Sequence, residues 1–146
     1  MKVAEIRKEF AGEILIKKIP EKDKRLNKGK DMFKLQLPLL YPDGDWIGLY
    51  LTYDKRGGLK ITDDGDTFFR IGYTPPHNEG AFTRSYPRIT KILKINYIEE
   101  NDGELSREYD AAELEKYKGN ILSSDIWNFL QAIVEICAVY EEKARE

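Results

Sequence analysis

The amino-acid sequence predicts an α+β domain in which helices pack on an antiparallel sheet, with the element order α-βββ-α-ββ-α. Residues 33–39, 47–53 and 59–62 each alternate apolar and polar side chains, a pattern typical of half-buried strands. Short turns rich in Gly and Asp join the three runs, which predicts a three-strand meander. Near the end of the chain, apolar residues recur at helical spacing over residues 126–137, and this predicts a long amphipathic helix.

Weaker periodicities and turn signals predict the remaining elements. These are an opening helix over 2–11, a short strand over 13–19, a helical turn over 66–71, and a helix over 83–93 with Pro87 in its first turn. A hairpin of residues 94–98 and 104–108 is predicted across the strong turn signal Asn101-Asp102-Gly103. Asp110 is predicted to cap a short helix, and Ser123 or Ser124 to cap the last one. The order is similar to that of secretion-chaperone-like proteins, which are often homodimers, an analogy at the level of fold.

The chain length and composition indicate one domain, residues 1–146, without a membrane segment. Its 146 residues include 34% charged side chains, and the net charge is −2, so there is no overall electrostatic attraction to nucleic acid. No stretch approaches the roughly 20 apolar residues of a membrane span. A single cysteine, Cys137, fits a reducing compartment, and we expect a cytoplasmic protein.

Charged residues are unevenly placed along the chain. Residues 20–30 form a lysine-rich segment, predicted to be a mobile loop, whose candidate binding residues are Lys22, Lys24, Arg25 and Lys28. Acidic residues crowd the predicted hairpin around Glu99 to Glu104. Two interpretations stay open: two solvated faces, or a homodimer in which the basic segment of one chain meets the acidic hairpin of the other.

Residues 62–66, Thr-Asp-Asp-Gly-Asp, place three carboxylates around one glycine at a strand end. One interpretation is that Thr62, Asp63 and Asp64 hydrogen-bond the turn and cap a helix that begins near Asp66. The alternative is a metal site in which Asp63, Asp64 and Asp66 bind Mg²⁺ or Mn²⁺, since such ions prefer carboxylate oxygens. Apart from that alternative the sequence predicts no cofactor and no catalytic residue.

Aromatic residues supply a further candidate surface. Trp46 and Tyr50 fall on the strand face opposite Ile47, Leu49 and Leu51. If helices cover only the latter face, these two aromatic side chains are exposed and suited to a protein partner or to stacked bases. The alternative is that a helix covers this second face as well.

Several segments resemble a bacterial family of unknown function, domain-of-unknown-function family 1828. The resemblance rests on Leu59-Lys-Ile-Thr-Asp-Asp-Gly-Asp-Thr67, Pro38-Leu-Leu40, the Asp43-Gly-Asp45 turn, Ile47 with Leu49-Tyr50, and the helical segments 88–93 and 130–133. It covers most of residues 30–137. The lysine-rich insert and the loop containing His77 and Asn78 depart from the pattern. Because the family brings no established chemistry, the resemblance implies no catalytic residue.

Three hypotheses of function follow. The first is a non-catalytic interaction module, homodimeric, that docks to a protein partner and inhibits or regulates a larger bacterial enzyme or defence system, in the manner of proteins carried by mobile elements. The second is a metal-dependent nuclease or phosphodiesterase that uses the turn Asp63-Asp64-Gly65-Asp66. The third is a nucleic-acid-binding module that uses the lysine-rich loop. We favour the first, because no complete catalytic constellation is recognisable in the sequence.

Overall fold

The computed structural model describes residues 15–18, 32–73, 80–117 and 120–146. The strands are β1 (Leu15–Lys18), β2 (Met32–Leu40), β3 (Trp46–Tyr53), β4 (Leu59–Thr62), β5 (Glu99–Asn101) and β6 (Glu104–Tyr109). The helices are α1 (Asp66–Tyr73), α2 (Ala81–Ile95), α3 (Ala111–Tyr117) and α4 (Asn120–Ala144). The opening helix predicted for 2–11 and the loop predicted for 20–30 lie outside the described residues.

One antiparallel sheet contains all six of these strands, in the order β1-β2-β3-β4-β6-β5. The meander of β2, β3 and β4 is confirmed, and β6 pairs with the far side of β4 from Leu59 opposite Tyr109 to Thr62 opposite Ser106. The predicted α+β class is therefore confirmed. The sheet joins the meander and the later hairpin into one unit, because β6 returns alongside β4 after the two helices α1 and α2.

The hydrophobic core lies between the sheet and the helices α2 and α4. It is built from alternate residues of the central strands together with one face of each helix; its members include Leu35, Leu37, Ile47, Leu49, Leu51, Ile61, Leu105, Ile89, Ile126, Phe129, Leu130, Ile133 and Ile136. The period of two in the strands and the helical spacing in α4 are the patterns that the sequence displays. No helix of the described residues has the length and apolar character needed to cross a membrane.

Three element boundaries differ from the sequence prediction. The segment Lys94–Ile98 is not a strand: α2 continues to Ile95, and the Ile98 amide donates to the Leu93 carbonyl oxygen at 2.9 Å. This bond closes a helix C-terminus, so the hairpin begins only at Glu99. Because α2 begins at Ala81, Pro87 lies inside the helix rather than in its first turn.

Helix α4 begins at Asn120, so neither Ser123 nor Ser124 caps it. By contrast, the predicted cap of α3 is confirmed, since a carboxylate oxygen of Asp110 accepts the Glu113 amide at 2.8 Å.

A buried polar contact, which the sequence did not reveal, ties α4 to β6. Asp125, on α4, accepts the Tyr109 hydroxyl at 2.6 Å and pairs with the Arg107 guanidinium at 3.2 Å. The Arg107 guanidinium also lies 5.0 Å from the ring centre of Tyr109 and 5.3 Å from that of Tyr97. Each polar group in the contact is satisfied, so it fixes how the long helix sits on the sheet.

Candidate interaction surface

The acidic turn after β4 is organised around the carboxylate of Asp63, which is completely buried. One oxygen accepts the amides of Gly65 and Leu105, each at 2.9 Å, and the other accepts the Thr67 amide at 3.1 Å. The Thr67 hydroxyl is a further hydrogen-bond partner of the carboxylate. Asp63 therefore joins the end of β4, the start of α1 and strand β6.

The capping interpretation of this turn is confirmed in its outline. The residue that supplies the cap is Asp63, while the Thr62 hydroxyl accepts the Asp64 amide at 3.0 Å. Asp64 and Gly65 both have positive φ, 56° and 80°. Gly adopts this left-handed region readily, and Asp is among the few other residues that adopt it at low cost, so both residues of the turn suit their backbone conformation.

The three carboxylates of the turn face different surroundings. Asp63 is inside, Asp64 is exposed, and Asp66 faces the guanidinium of Arg70 at 3.8 Å. Among the described residues, no three or more His, Cys, Asp and Glu side chains form a group that would hold a metal ion. The Mg²⁺ or Mn²⁺ site at Asp63, Asp64 and Asp66 remains a prediction, and the oxygens of Asp63 already accept several hydrogen bonds.

A clamp centred on Arg70 lies beside this turn. One guanidinium nitrogen of Arg70 binds a carboxylate oxygen of Asp43 and another of Asp45, each at 2.7 Å. The guanidinium also stacks over the Tyr41 ring, with 4.7 Å to the ring centre. We define Asp43, Asp45, Asp66 and Arg70 as the Arg70 clamp. It holds the β2–β3 turn against α1.

The Arg70 clamp carries more negative than positive charge. Burial raises the pKa of Asp66, and the charges of Asp43 and Asp45 raise it further, against the opposing effect of Arg70 and Lys34. Burial alone would lower the pKa of Arg70, but the hydrogen bonds that its guanidinium donates to Asp45 and Asp43 raise the pKa overall, so the guanidinium remains charged. One cation thus faces three carboxylates.

Exposed apolar side chains adjoin the clamp. Leu40 and Trp46 stand opposite each other across β2 and β3, at the two ends of the turn that contains Asp43 and Asp45. Leu40 is 52% exposed and Trp46 is 53% exposed, and Leu39, the preceding residue of β2, is also exposed. We call Leu40 and Trp46 the Trp46 surface. On α1, next to Arg70, the Phe69 ring is also exposed.

The structure separates the two aromatic residues that the sequence placed together. Trp46 is exposed, as expected, but Tyr50 is only 8% exposed. The Lys34 ammonium lies 5.7 Å from the centre of the Tyr50 ring. Of these two aromatic side chains, Trp46 is therefore the one that is exposed for docking.

The other candidates are distributed as follows. Lys22, Lys24, Arg25 and Lys28, like His77, lie outside the described residues. Cys137 is buried on α4, and burial raises the pKa of its thiol to about 12, so it behaves as a small apolar side chain. Sequence reasoning missed Arg70, because only the fold brings it to Asp43 and Asp45, 27 and 25 positions earlier.

Comparison with known proteins places the chain in a family without assigning an activity. No curated protein and no solved structure matches it. A family model matches residues 37–136, a range that contains the acidic turn, the Arg70 clamp and the Trp46 surface. The match covers more than half of the 146 residues, so the chain belongs to the family described as Domain of unknown function DUF1828.

Proposed function

We propose that this protein is a non-catalytic interaction module that binds a protein partner through the Trp46 surface. The observation that carries the proposal is the pair of large, half-exposed side chains Leu40 and Trp46, held next to each other by strand register. Tryptophan is enriched among residues that dominate binding energy at protein interfaces. Large exposed apolar groups that lie together, rimmed by polar residues, are a common mark of such an interface.

The Arg70 clamp supports the same role by holding this surface rigid. Two short charge-assisted hydrogen bonds fix the turn between Leu40 and Trp46 before any partner arrives. A surface that is already ordered loses less conformational entropy on binding. The surplus carboxylates of the clamp favour a partner that carries Arg or Lys at the edge of an apolar anchor.

The remaining parts of the proposal concern the biological setting. We infer a cytoplasmic protein, supported by the single cysteine, which is buried and forms no disulfide. We further propose that binding inhibits or regulates a larger bacterial enzyme or defence system. The identity of the partner is the observation that tests this part.

The test compares two surfaces of the same chain. Tagged Leu40→Ser/Trp46→Ala protein and a control with the exposed change Tyr97→Ala are each used to recover partners from cell lysate, which are identified by mass spectrometry. The partner that copurifies with the unaltered chain is then purified, and its affinity is measured by titration calorimetry. We expect the Trp46 surface variant to lose at least tenfold in affinity, since truncating a central tryptophan costs on the order of 2 kcal/mol or more.

The proposal is wrong if the purified partner binds the Leu40→Ser/Trp46→Ala variant as tightly as the unaltered chain. It is also wrong if the unaltered chain cleaves a phosphodiester in Mn²⁺ and loses that activity on Asp66→Asn substitution, because the protein would then be the metal-dependent nuclease. Calorimetry with Mn²⁺ alone tests the metal site directly. A gel-shift series at increasing salt tests the nucleic-acid alternative, whose phosphate contacts weaken steeply with salt.

A further inference from the structure

A second surface, separate from the Trp46 surface, is the open groove between α2 and α4. Its volume is about 370 Å³, and it is lined by Arg88, Lys91, Ile92, Glu135, Ala138, Val139 and Glu142. The two helices run in opposite directions. Accordingly, Arg84 near the start of α2 donates to the Lys143 carbonyl oxygen near the end of α4 at 3.1 Å. The floor of the groove is apolar, and its walls are charged.

The two walls carry opposite charges. The α2 wall has Arg88 and Lys91, and the α4 wall has Glu135 and Glu142. Arg88 and Glu142 lie at the same height along the groove and are joined by an ion pair of 3.3 Å, with both side chains more than half exposed. The positive charges therefore lie on α2 and the negative charges on α4, and the Arg88 and Glu142 side chains remain accessible to solvent.

Apolar groups accompany the charged walls. Val134, one turn from Ala138 on α4, is 39% exposed, and Ile95, one turn from Lys91 on α2, is 74% exposed. The exposed stripe of α2 therefore contains Arg88, Lys91 and Ile95 at helical spacing. Apolar groups between charges of both signs are the composition of a surface that can bind a copy of itself.

We propose that the α2–α4 groove is the interface of a homodimer whose two-fold axis runs along the groove. A half-turn about this axis moves each helix of a copy to the opposite side of the groove, and it leaves the position of each residue along the groove unchanged. It therefore lays α2 of one copy over α4 of the other. Arg88 then faces the partner's Glu142, and the basic wall that contains Lys91 faces the partner's acidic wall. The complementarity occurs twice, and the apolar floors of the two grooves close on each other.

The proposed interface does not use the core face of α4. Ile126, Leu130, Ile133 and Ile136 of α4 are buried within one chain, where the sheet and α2 cover them, so they are not free for a partner. The opposite face of α4 is the one that borders the groove. Because the groove and the Trp46 surface share no residue, a dimer and a further protein partner can be bound together.

The experiment uses two charge-reversed versions of the full chain. The acidic version is Arg88→Glu/Lys91→Glu, which makes both walls negative. The basic version is Glu135→Lys/Glu142→Lys, which makes both walls positive. A control, Lys55→Glu/Arg56→Glu, reverses two exposed charges in the β3–β4 turn, away from the groove.

Sedimentation and light scattering over micromolar concentrations measure the mass of each version. We expect dimers for the unaltered chain and the control, and at least a tenfold weaker association for the acidic and basic versions alone. An equal mixture of those two versions should recover the dimer, because the acidic walls of one then face the basic walls of the other. Thermal melts show that each version is folded.

A clean monomer mass for the unaltered chain across the dilution series overturns the proposal. So does a dimer that persists in both reversed versions, since the interface would then lie elsewhere. The Leu40→Ser/Trp46→Ala variant should keep the dimer mass, so failure of this proposal and failure of the proposed function are separately observed.

Discussion

Replacing Asp63 with Ala removes the acceptor that joins β4, α1 and β6. The amides of Thr67 and Leu105 lose their partner at fully buried hydrogen bonds, and that of Gly65 loses it at a partly buried one. Each buried amide left without an acceptor costs about 1–3 kcal/mol. Removal of the carboxylate also ends its own desolvation penalty, which offsets part of the loss.

The net expectation for Asp63→Ala is a loss of roughly 3–5 kcal/mol in the free energy of unfolding, set against a total of about 5–15 kcal/mol for a domain. Urea denaturation followed by circular dichroism measures it. The matched control is Asp64→Asn, which changes an exposed neighbour and keeps a residue that tolerates φ of 56°. The control should lose much less stability than Asp63→Ala, because the Asp64 side chain is exposed. Equal, small losses of stability in the two variants would refute the conclusion that the Asp63 carboxylate links β4, α1 and β6.

Three further predictions concern protonation, strain and thiol reactivity. Burial is the largest influence on the Asp63 carboxyl and raises its pKa above the usual value for aspartate. The native chain therefore gains stability from this group as the pH falls. In urea titrations, the stability deficit of Asp63→Asn relative to the unaltered chain should grow as the pH is lowered from neutrality toward the usual pKa of aspartate, and a constant deficit would contradict a raised pKa. Tyr97 has φ of 56° at the end of α2, so Tyr97→Gly should be about 1 kcal/mol more stable than Tyr97→Ala in thermal melts, and equal stability would show that the backbone is not strained. The Cys137 thiol, with a pKa of about 12, should react with a thiol reagent only at the rate of unfolding; labelling as fast as that of a free peptide would contradict its burial.

The sequence by itself determined the class of fold and most of the elements. The alternation in β2, β3 and β4 and the apolar stripe of α4 are local patterns. They predict strands and a helix because apolar residues on one buried face recur every two residues in a strand and every three to four in a helix. The Asp110 cap and the Asn101-Asp102-Gly103 turn were equally local and equally readable. The boundaries at Lys94–Ile98 and at Ser123 were wrong: α2 continues to Ile95 and is closed by the hydrogen bond from the Ile98 amide to the Leu93 carbonyl oxygen, and α4 already begins at Asn120.

The tertiary structure alone decided the meaning of the charged and aromatic residues. Carboxylates in the sequence look alike, but Asp63 is buried among backbone amides, and Asp43 and Asp45 meet Arg70 only because α1 packs beside the β2–β3 turn. Trp46 and Tyr50 share a strand face, yet only Trp46 is exposed. The reason is physical: burial and pairing of a polar or aromatic side chain depend on segments distant in the chain, whereas the periodicity that specifies a helix or strand is written within a few residues.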